Sequence, residues 1–318
     1  MNQTYTMQLH PKMAKDRRLQ QFFLRLPPTL RRHIGIRALN AILPNSDCQL
    51  ILYNNSCFAY IDITDPNPRN YFLKGIFEPD MIRLGVALGA EACVDLDIGA
   101  NFGLWGLGVI SSKEYKGMGM HFFEPNPHCF SYIEKSLADF YEKNSRAINA
   151  ATGPSDGESF LAINKDELGQ SHISRYMNGV PVRCIALDSY INNLNIQALG
   201  VIKMDIEGYE VETLHGMKQV LESMPPRAFI MECYDGHFHR YGTDSTELIS
   251  MMKSYGYRVF LFREKDHVAK VFDECCRFRF YQDGCPFLIN LDGSLPENYG
   301  TDILAIRGDL CEHLLYQV

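Results

Sequence analysis

No apolar run in this 318-residue chain comes near the roughly 18 residues needed to cross a bilayer. The opening residues, MNQTYTMQLHPKM, also lack the continuous apolar core of a signal peptide, so a cytoplasmic location is the simplest expectation. There is no internal repeat and no low-complexity segment. No CxxC pair and no Cys/His zinc spacing accompanies the one cysteine cluster, Cys275, Cys276 and Cys285. The remaining cysteines are scattered, and Cys93, Cys184 and Cys233 sit in apolar strand-like runs, which points to reduced core thiols and against a disulfide framework. Glycine is missing at position 101, where Asn101 stands, so the dinucleotide fingerprint GxGxxG fails and a nicotinamide-dependent oxidoreductase becomes a distant reading.

What is present is a hydrophobic content of 46%, ample for one large α/β domain or for a domain with an extension. Net charge is −7, unevenly spread. The first forty residues carry Lys12, Lys15, Arg17, Arg18, Arg25, Arg31, Arg32 and Arg37 against Asp16 alone, leaving that arm at +7 and the remainder at −14. Such an arm has the charge to touch an anionic surface, but docking on the protein's own acidic body is the favoured reading, and no specific nucleic-acid partner is expected. Helical spacing begins near Arg17, with Leu19, Phe22, Phe23 and Leu26 as its apolar stripe until Pro27-Pro28, and a second helix is expected after Thr29. Residues 49–64 read as a β-hairpin about Asn54-Asn55, closed by a loop at Asp65-Pro66-Asn67-Pro68.

From residue 92 strands and helices alternate, the pattern of a parallel sheet with right-handed crossovers. Strands are expected at 92–98, 119–124, 147–152, 201–206, 227–233, 257–262 and 302–307, with a helix over 209–224 and another over 243–255. An insertion at 158–190 adds strands about a polar loop. Residues 1–70 are read as a basic helical arm and hairpin extension, and 71–318 as the main domain.

The stretch ACVDLDIGANFGLWGLG, residues 92–108, carries the most information. Val94, Leu96 and Ile98 alternate with Asp95 and Asp97, then Gly99 and Gly103 permit a sharp turn and close approach of a ligand at a helix start. Asp97 at the strand end and Glu124 at the end of the next strand suit a nucleoside, the second as acceptor for ribose hydroxyls. Lys203, Asp205, Glu207 and Glu210 gather at the end of an apolar strand, with Glu232 at the end of another. Glu210 reads as a helix-capping acid. Asp205 and Glu232 form a candidate carboxylate pair for a divalent cation or a sugar hydroxyl, although no clear metal motif supports an ion. His237 and His239 are placed to overhang the same pocket, and His172 on the insertion is an alternative base.

Three ordered blocks, Asp97-Ile98-Gly99-Ala100-Asn101-Phe102-Gly103, Phe123-Glu124-Pro125-Asn126-Pro127 and Ile202-Lys203-Met204-Asp205-Ile206-Glu207-Gly208-Tyr209-Glu210, resemble the signatures of the FkbM-type methyltransferases. The lead-in YFLKGIFEPD at 71–80 is similar too, and the likeness spans about residues 71–257. The resemblance implies a Rossmann-like class I methyltransferase sheet with helices on both faces and an antiparallel last strand. It implies S-adenosylmethionine as cofactor, held by Asp97, Gly99, Ala100, Asn101, Gly103, Glu124 and Pro125, with Asp156 bracketing the adenine. It further implies O-methylation of a saccharide or other small-molecule hydroxyl; for that chemistry the strand-end reading takes Asp205 to orient the acceptor or take its proton, with Lys203, Glu207, Glu232 and His237 beside it. A non-catalytic nucleoside-binding or recruitment protein on the same fold is the rival reading.

Overall fold

The computed structural model describes residues 11–27, 48–141, 144–176, 178–262, 288–290 and 300–311. The second helix expected after Thr29, Arg31, Arg32 and Arg37 of the arm, and the cysteine cluster Cys275, Cys276 and Cys285 lie outside these residues.

The expected hairpin forms from β1 (Cys48–Tyr53) and β2 (Cys57–Asp62), paired antiparallel from Cys48 opposite Asp62 to Tyr53 opposite Cys57. Its turn places Asn54 and Asn55 at positive φ, +48° and +66°, the backbone of a tight hairpin turn that asparagine tolerates. The helix Pro11–Leu24 lies against it. Phe23 is fully buried there, but Phe22, read as part of the same stripe, is 56% exposed. The buried arc is displaced toward Gln20, whose amide receives the Leu52 N–H and donates to the Leu52 and Phe72 carbonyls. At 100° per residue, Phe22 falls about 100° from the centre of that arc.

Asp65-Pro66-Asn67-Pro68 is not a loop but the start of the helix Pro66–Lys74. The Asp65 side chain accepts the Asn67 N–H at 2.9 Å, and Pro66 occupies the first helical position, where a missing N–H costs nothing.

The main sheet has eight strands among the described residues. Its parallel part opens with β3 (Val94–Ile98), β4 (Gly119–Phe123) and β5 (Arg146–Ile148). The expected single strand over 147–152 is split, because β6 (Ala151–Thr152) leaves for a second sheet. That sheet collects β7 (Gly157–Ala162), β8 (His172–Ile173) and β9 (Val180–Ile185) from the insertion, in the order β6-β9-β7-β8. The chain re-enters the main sheet as β10 (Leu199–Met204), β11 (Ala228–Tyr234), β12 (Tyr257–Phe262), β13 (Leu288–Asn290) and β14 (Gly300–Arg307). The order is β13-β12-β14-β11-β10-β3-β4-β5. β14 inserts antiparallel between β11 and β12, as expected of the last strand. Because the ordering of β3 and β4 reverses direction beside β10, the carboxyl ends of these strands open onto a crevice.

The expected helix over 209–224 breaks into Glu210–His215 and Lys218–Ser223. A Cβ on Gly216 would stand 1.9 Å from the Gly153 carbonyl oxygen, so the chain turns where a glycine lets two backbones touch. The alternation in β3 also hides a second buried face. Asp95 and Asp97 are each 1% exposed, and Asp95 Oδ1 accepts the Val201 N–H at 2.6 Å.

One apolar cluster runs from Phe23, Tyr53 and Phe72 through Trp105 and Tyr132 to one face of the main sheet, and a second, around Leu214, Phe229 and Leu248, covers the other. The hairpin is further fastened by Tyr53 Oη to the Leu104 carbonyl at 2.7 Å and by Ser136 Oγ to the Tyr60 N–H at 2.9 Å. Replacing Gln20 by alanine strands buried backbone groups of Leu52 and Phe72, and an equilibrium urea titration is expected to show a loss of about 1–3 kcal/mol. An unchanged midpoint would show that the helix is not docked through this amide.

Candidate functional site

The turn after β3 is built by backbone conformation. Gly99, Asn101 and Gly103 all have positive φ, at +75°, +52° and +73°. Asn101 thus adopts the left-handed backbone that glycine would, a conformation in which asparagine is enriched. Gly99 answers a different need from the ligand approach expected of it. A Cβ there would lie 2.0 Å from the Asp205 carbonyl oxygen, because the loop after β10 presses on this turn. Gly103 caps the helix Leu104–Ile110, whose Gly106 N–H donates to Asp97 Oδ2 at 3.0 Å. Ala100 donates its N–H to the Phe123 carbonyl at 3.1 Å, joining the turn to the end of β4.

Glu124 lies 7% exposed beside this turn. Its two carboxylate oxygens accept N–H groups from Asn101 and Asn126, each at 2.7 Å. Burial pushes its carboxyl up to about 8, against the two N–H bonds that favour the ionised form. Burial likewise raises Asp97 to about 6, opposed by the Lys203 ammonium and the Gly106 N–H. Asn101 Oδ1 is buried without a partner among the described residues.

A narrow cleft of about 50 Å³ runs over these groups, lined by Gly99, Asn101, Glu124 and Pro125 on one side and by Thr152, Leu161, Leu168, His172, Ile173 and Tyr209 on the other. Asp156, expected at the adenine, is not among the lining residues. It sits before β7 and its Oδ1 accepts the Ala186 N–H at 2.9 Å. The opposing wall comes from β6, at the end of the strand expected over 147–152, from β7, β8 and the segment between them in the expected insertion, and from Tyr209 after β10. His172 does reach the cleft, with its imidazole shifted down by burial and by Arg240.

The cleft adjoins a cavity of about 420 Å³ whose lining includes Tyr71, Glu78, Asp97, Asn101, Glu167, Lys203, Asp205, Glu207, Glu232 and His237. Lys203 is 7% exposed, and its Nζ lies 2.7 Å from Asp205 Oδ2. Burial alone pulls this ammonium down, but Asp205, Asp97, Glu78 and Asp302 outweigh burial and hold it well above its usual value. Both members of the carboxylate pair expected from Asp205 and Glu232 line this cavity, with Asp205 engaged by Lys203 and its charge acting on Glu232. Glu232 also meets Glu207 across His237, whose Nδ1 is 3.0 Å from Glu232 Oε2 and 3.2 Å from Glu207 Oε2. Glu207 and Glu232 are both raised to about 7, first by burial, then respectively by Glu232 and by Asp205. His239 does not line the cavity. Glu210 is fully buried in the first turn of its helix, where its Oε1 accepts the Ile206 N–H at 3.2 Å, in keeping with a structural role.

Two carboxylates that act on Lys203, Glu78 and Asp302, escape a reading of the sequence, as does Glu167 in the cavity lining. Glu78 precedes the helix Pro79–Leu88 at φ +29°, and its signals are its place in the lead-in at 71–80 and the tripeptide Phe77-Glu78-Pro79, identical to Phe123-Glu124-Pro125. Asp302 lies opposite Glu232 in the β11–β14 pairing, and burial raises it to about 7. Other clefts exist, of about 430 Å³ around Tyr115 and Tyr141 and about 690 Å³ beside Pro79, Lys113 and Lys116, but neither includes the carboxyl ends of the strands.

The buried carboxyl of Glu124 gives a pH signature. Between its ordinary value of 4.5 and about 8, the folded chain keeps a proton that the unfolded chain has released, so its contribution to stability is full below 4.5 and is lost as pH rises toward 8. Melting temperature is expected to fall less steeply over that window in Glu124→Gln than in the unsubstituted protein. The slope is the readout, since an amide cannot accept both N–H groups and absolute stability drops. Parallel profiles would contradict the assignment.

Comparison with known proteins places this geometry. Residues 97–259 match the family described as Methyltransferase FkbM domain, which is more than half of the chain. A similar protein is the hexuronic acid methyltransferase AglP of Haloferax volcanii, 26% identical over 191 residues, covering 60% of this chain and 75% of that one. Among solved structures, the FkbM methyltransferase of Methylobacillus flagellatus aligns with a TM-score of 0.40 at 14% identity, covering 74% of this chain and 52%, about half, of the other. An S-adenosylmethionine-dependent O-methyltransferase of Thermotoga maritima aligns with a TM-score of 0.39 at 11% identity, covering 85% and 81% of the two chains. The sequence match falls on the turn, the β4 end and the acidic strand ends described above, and the chain belongs to the FkbM methyltransferase family.

Proposed function

We propose that this family member uses S-adenosylmethionine to methylate a hydroxyl of a saccharide. The observation that carries the reading is the meeting of two unlike walls over the ends of β3 and β10: a narrow cleft at Glu124 lined by apolar side chains opposite the glycine turn, and a wall of carboxylates with one imidazole. The cofactor fits the residues present. Asn101 Oδ1 is a buried acceptor without a partner among the described residues, and each Glu124 oxygen keeps a further lone pair for a ribose hydroxyl beyond its N–H bond. Asp97, Gly99, Ala100, Asn101 and Gly103 would hold the amino-acid end, Glu124 and Pro125 the ribose, and Leu161, Leu168 and Ile173 the adenine. Bound there, the group supplies an electrophilic methyl on a sulfonium.

The chain's own residues must align an alcohol oxygen and accept its proton, since a neutral alcohol is a weak nucleophile. Asp205 suits both roles, because its side chain is 43% exposed to the cavity side of the loop and is held in place by the Lys203 ammonium. Glu207, Glu232 and His237 stand beside it as acceptors and donors for neighbouring hydroxyls. A polyol is the acceptor class such a wall recognises, and the relative from Haloferax volcanii is named for a sugar acid.

Transfer of labelled methyl from S-adenosylmethionine to a panel of hexuronic acid glycosides and neutral glycosides tests the reading. Incorporation at a hydroxyl is expected. Asp205→Asn should lower kcat at least about 100-fold while the affinity for S-adenosylhomocysteine stays within about threefold. Undiminished kcat in this variant would remove Asp205 from the chemistry. Tight cofactor binding with no transfer to any glycoside would favour a non-catalytic binding protein.

A further inference from the structure

Glu207, Glu232 and His237 reach one point from three segments: the loop after β10, the strand β11 and the short helix Asp235–Phe238. The loop is held there by unusual backbone. Glu207 has φ +59°, and a Cβ on Gly208 would stand 2.4 Å from the His237 carbonyl carbon, so only glycine lets the loop close on the helix. Arg240 secures the turn by donating to the Glu207 carbonyl at 2.8 Å. One donor atom of each side chain then lies within 4.8 Å of the other two.

The spacing is that of a coordination shell. Neighbouring ligands on an octahedral ion bound at about 2.1 Å are separated by about 3.0 Å. His237 Nδ1 stands 3.0 Å from Glu232 Oε2 and 3.2 Å from Glu207 Oε2. Two carboxylates and one imidazole make a mixed hard and borderline donor set, suited to Mn²⁺ and related divalent ions. The three side chains border the 420 Å³ cavity, so the remaining positions of an ion open toward the acceptor space. Charge argues the same way. Asp205, Glu207 and Glu232 face a cavity in which Lys203 is paired with Asp205 and Arg240 offsets Glu207 and Glu232 only in part, from behind the turn, so an acceptor bearing a carboxylate gains if a cation stands between them.

We propose that Glu207, Glu232 and His237 bind one divalent cation of the Mn²⁺ type, whose open positions take oxygens of the acceptor next to Asp205. The ion's link to the acceptor rests on the function proposed above; its binding does not. A hydroxyl held on the ion gives up its proton more readily, and Asp205, outside the three ligands, receives it.

The full-length protein, stripped with chelator and titrated with MnCl₂, tests this through the electron paramagnetic resonance signal of free Mn²⁺. One site per chain is expected, with a dissociation constant of about 100 µM or tighter. Glu232→Gln and His237→Gln should each weaken it at least about tenfold with S-adenosylhomocysteine binding retained, which marks the variants as folded. Glu207→Gln serves if either fails to fold. Absence of binding to the unsubstituted protein, or undiminished binding in the folded variants, overturns the proposal. Methyl transfer that persists without Mn²⁺ binding would overturn the ion alone, whereas Mn²⁺ binding without transfer would overturn the proposed function and leave the ion.

Discussion

A lysine ammonium at the centre of the sheet is the constraint on which the crevice depends. Lys203 follows Val201 and Ile202 into the core of β10, where an isolated charge would be expelled or neutralised. It stays charged because carboxylates arrive from four places: Asp97 from β3, Asp205 from the next loop, Glu78 from the start of the helix Pro79–Leu88, and Asp302 from β14. Those four segments are far apart in the chain. The ion cluster therefore ties the lead-in before the sheet, two central strands and the returning antiparallel strand to one point, and that point is the floor of the cavity.

From this floor the two walls acquire different chemistry. On the side of β4, Glu124 has few opposing charges and two backbone N–H donors, which makes it a rigid acceptor, with burial pulling its carboxyl up against those two bonds. On the side of β11, carboxylates crowd one another around a single imidazole, and mutual repulsion adds to burial in raising Glu207 and Glu232. The first wall suits the hydroxyls of a nucleoside. The second is built to face something that donates protons or carries positive charge.

Much of this is legible in the sequence because the informative residues are local. The strand-turn-helix at Asp97 to Gly103, the acid ending β4 and the charged end of β10 each lie within a few residues of a strand terminus, where strand direction alone places them in the crevice. What escapes depends on contacts between distant segments. Asp302 enters through the antiparallel pairing with β11, and Glu78 through a kink before proline; neither has a periodic signature. Asp156 is expected at the adenine, yet its carboxylate serves the start of the helix Leu187–Asn193, a choice made by the second sheet. The broken helix at Gly216 and the meeting of Glu207 and Glu232 at His237 are likewise decided by backbone approach between distant segments, which periodicity cannot display.

The central claim is that the cleft beside Asn101 and Glu124 holds the nucleoside of a methyl donor. Calorimetric titration of the purified protein with S-adenosylhomocysteine, with NAD as control and Glu124→Ala as the variant, tests it most directly. Micromolar binding of the sulfur nucleoside, none of NAD, and a loss of at least about tenfold in the variant are the predicted results. Equal affinity in the variant, or binding of NAD in place of the sulfur nucleoside, would contradict the account.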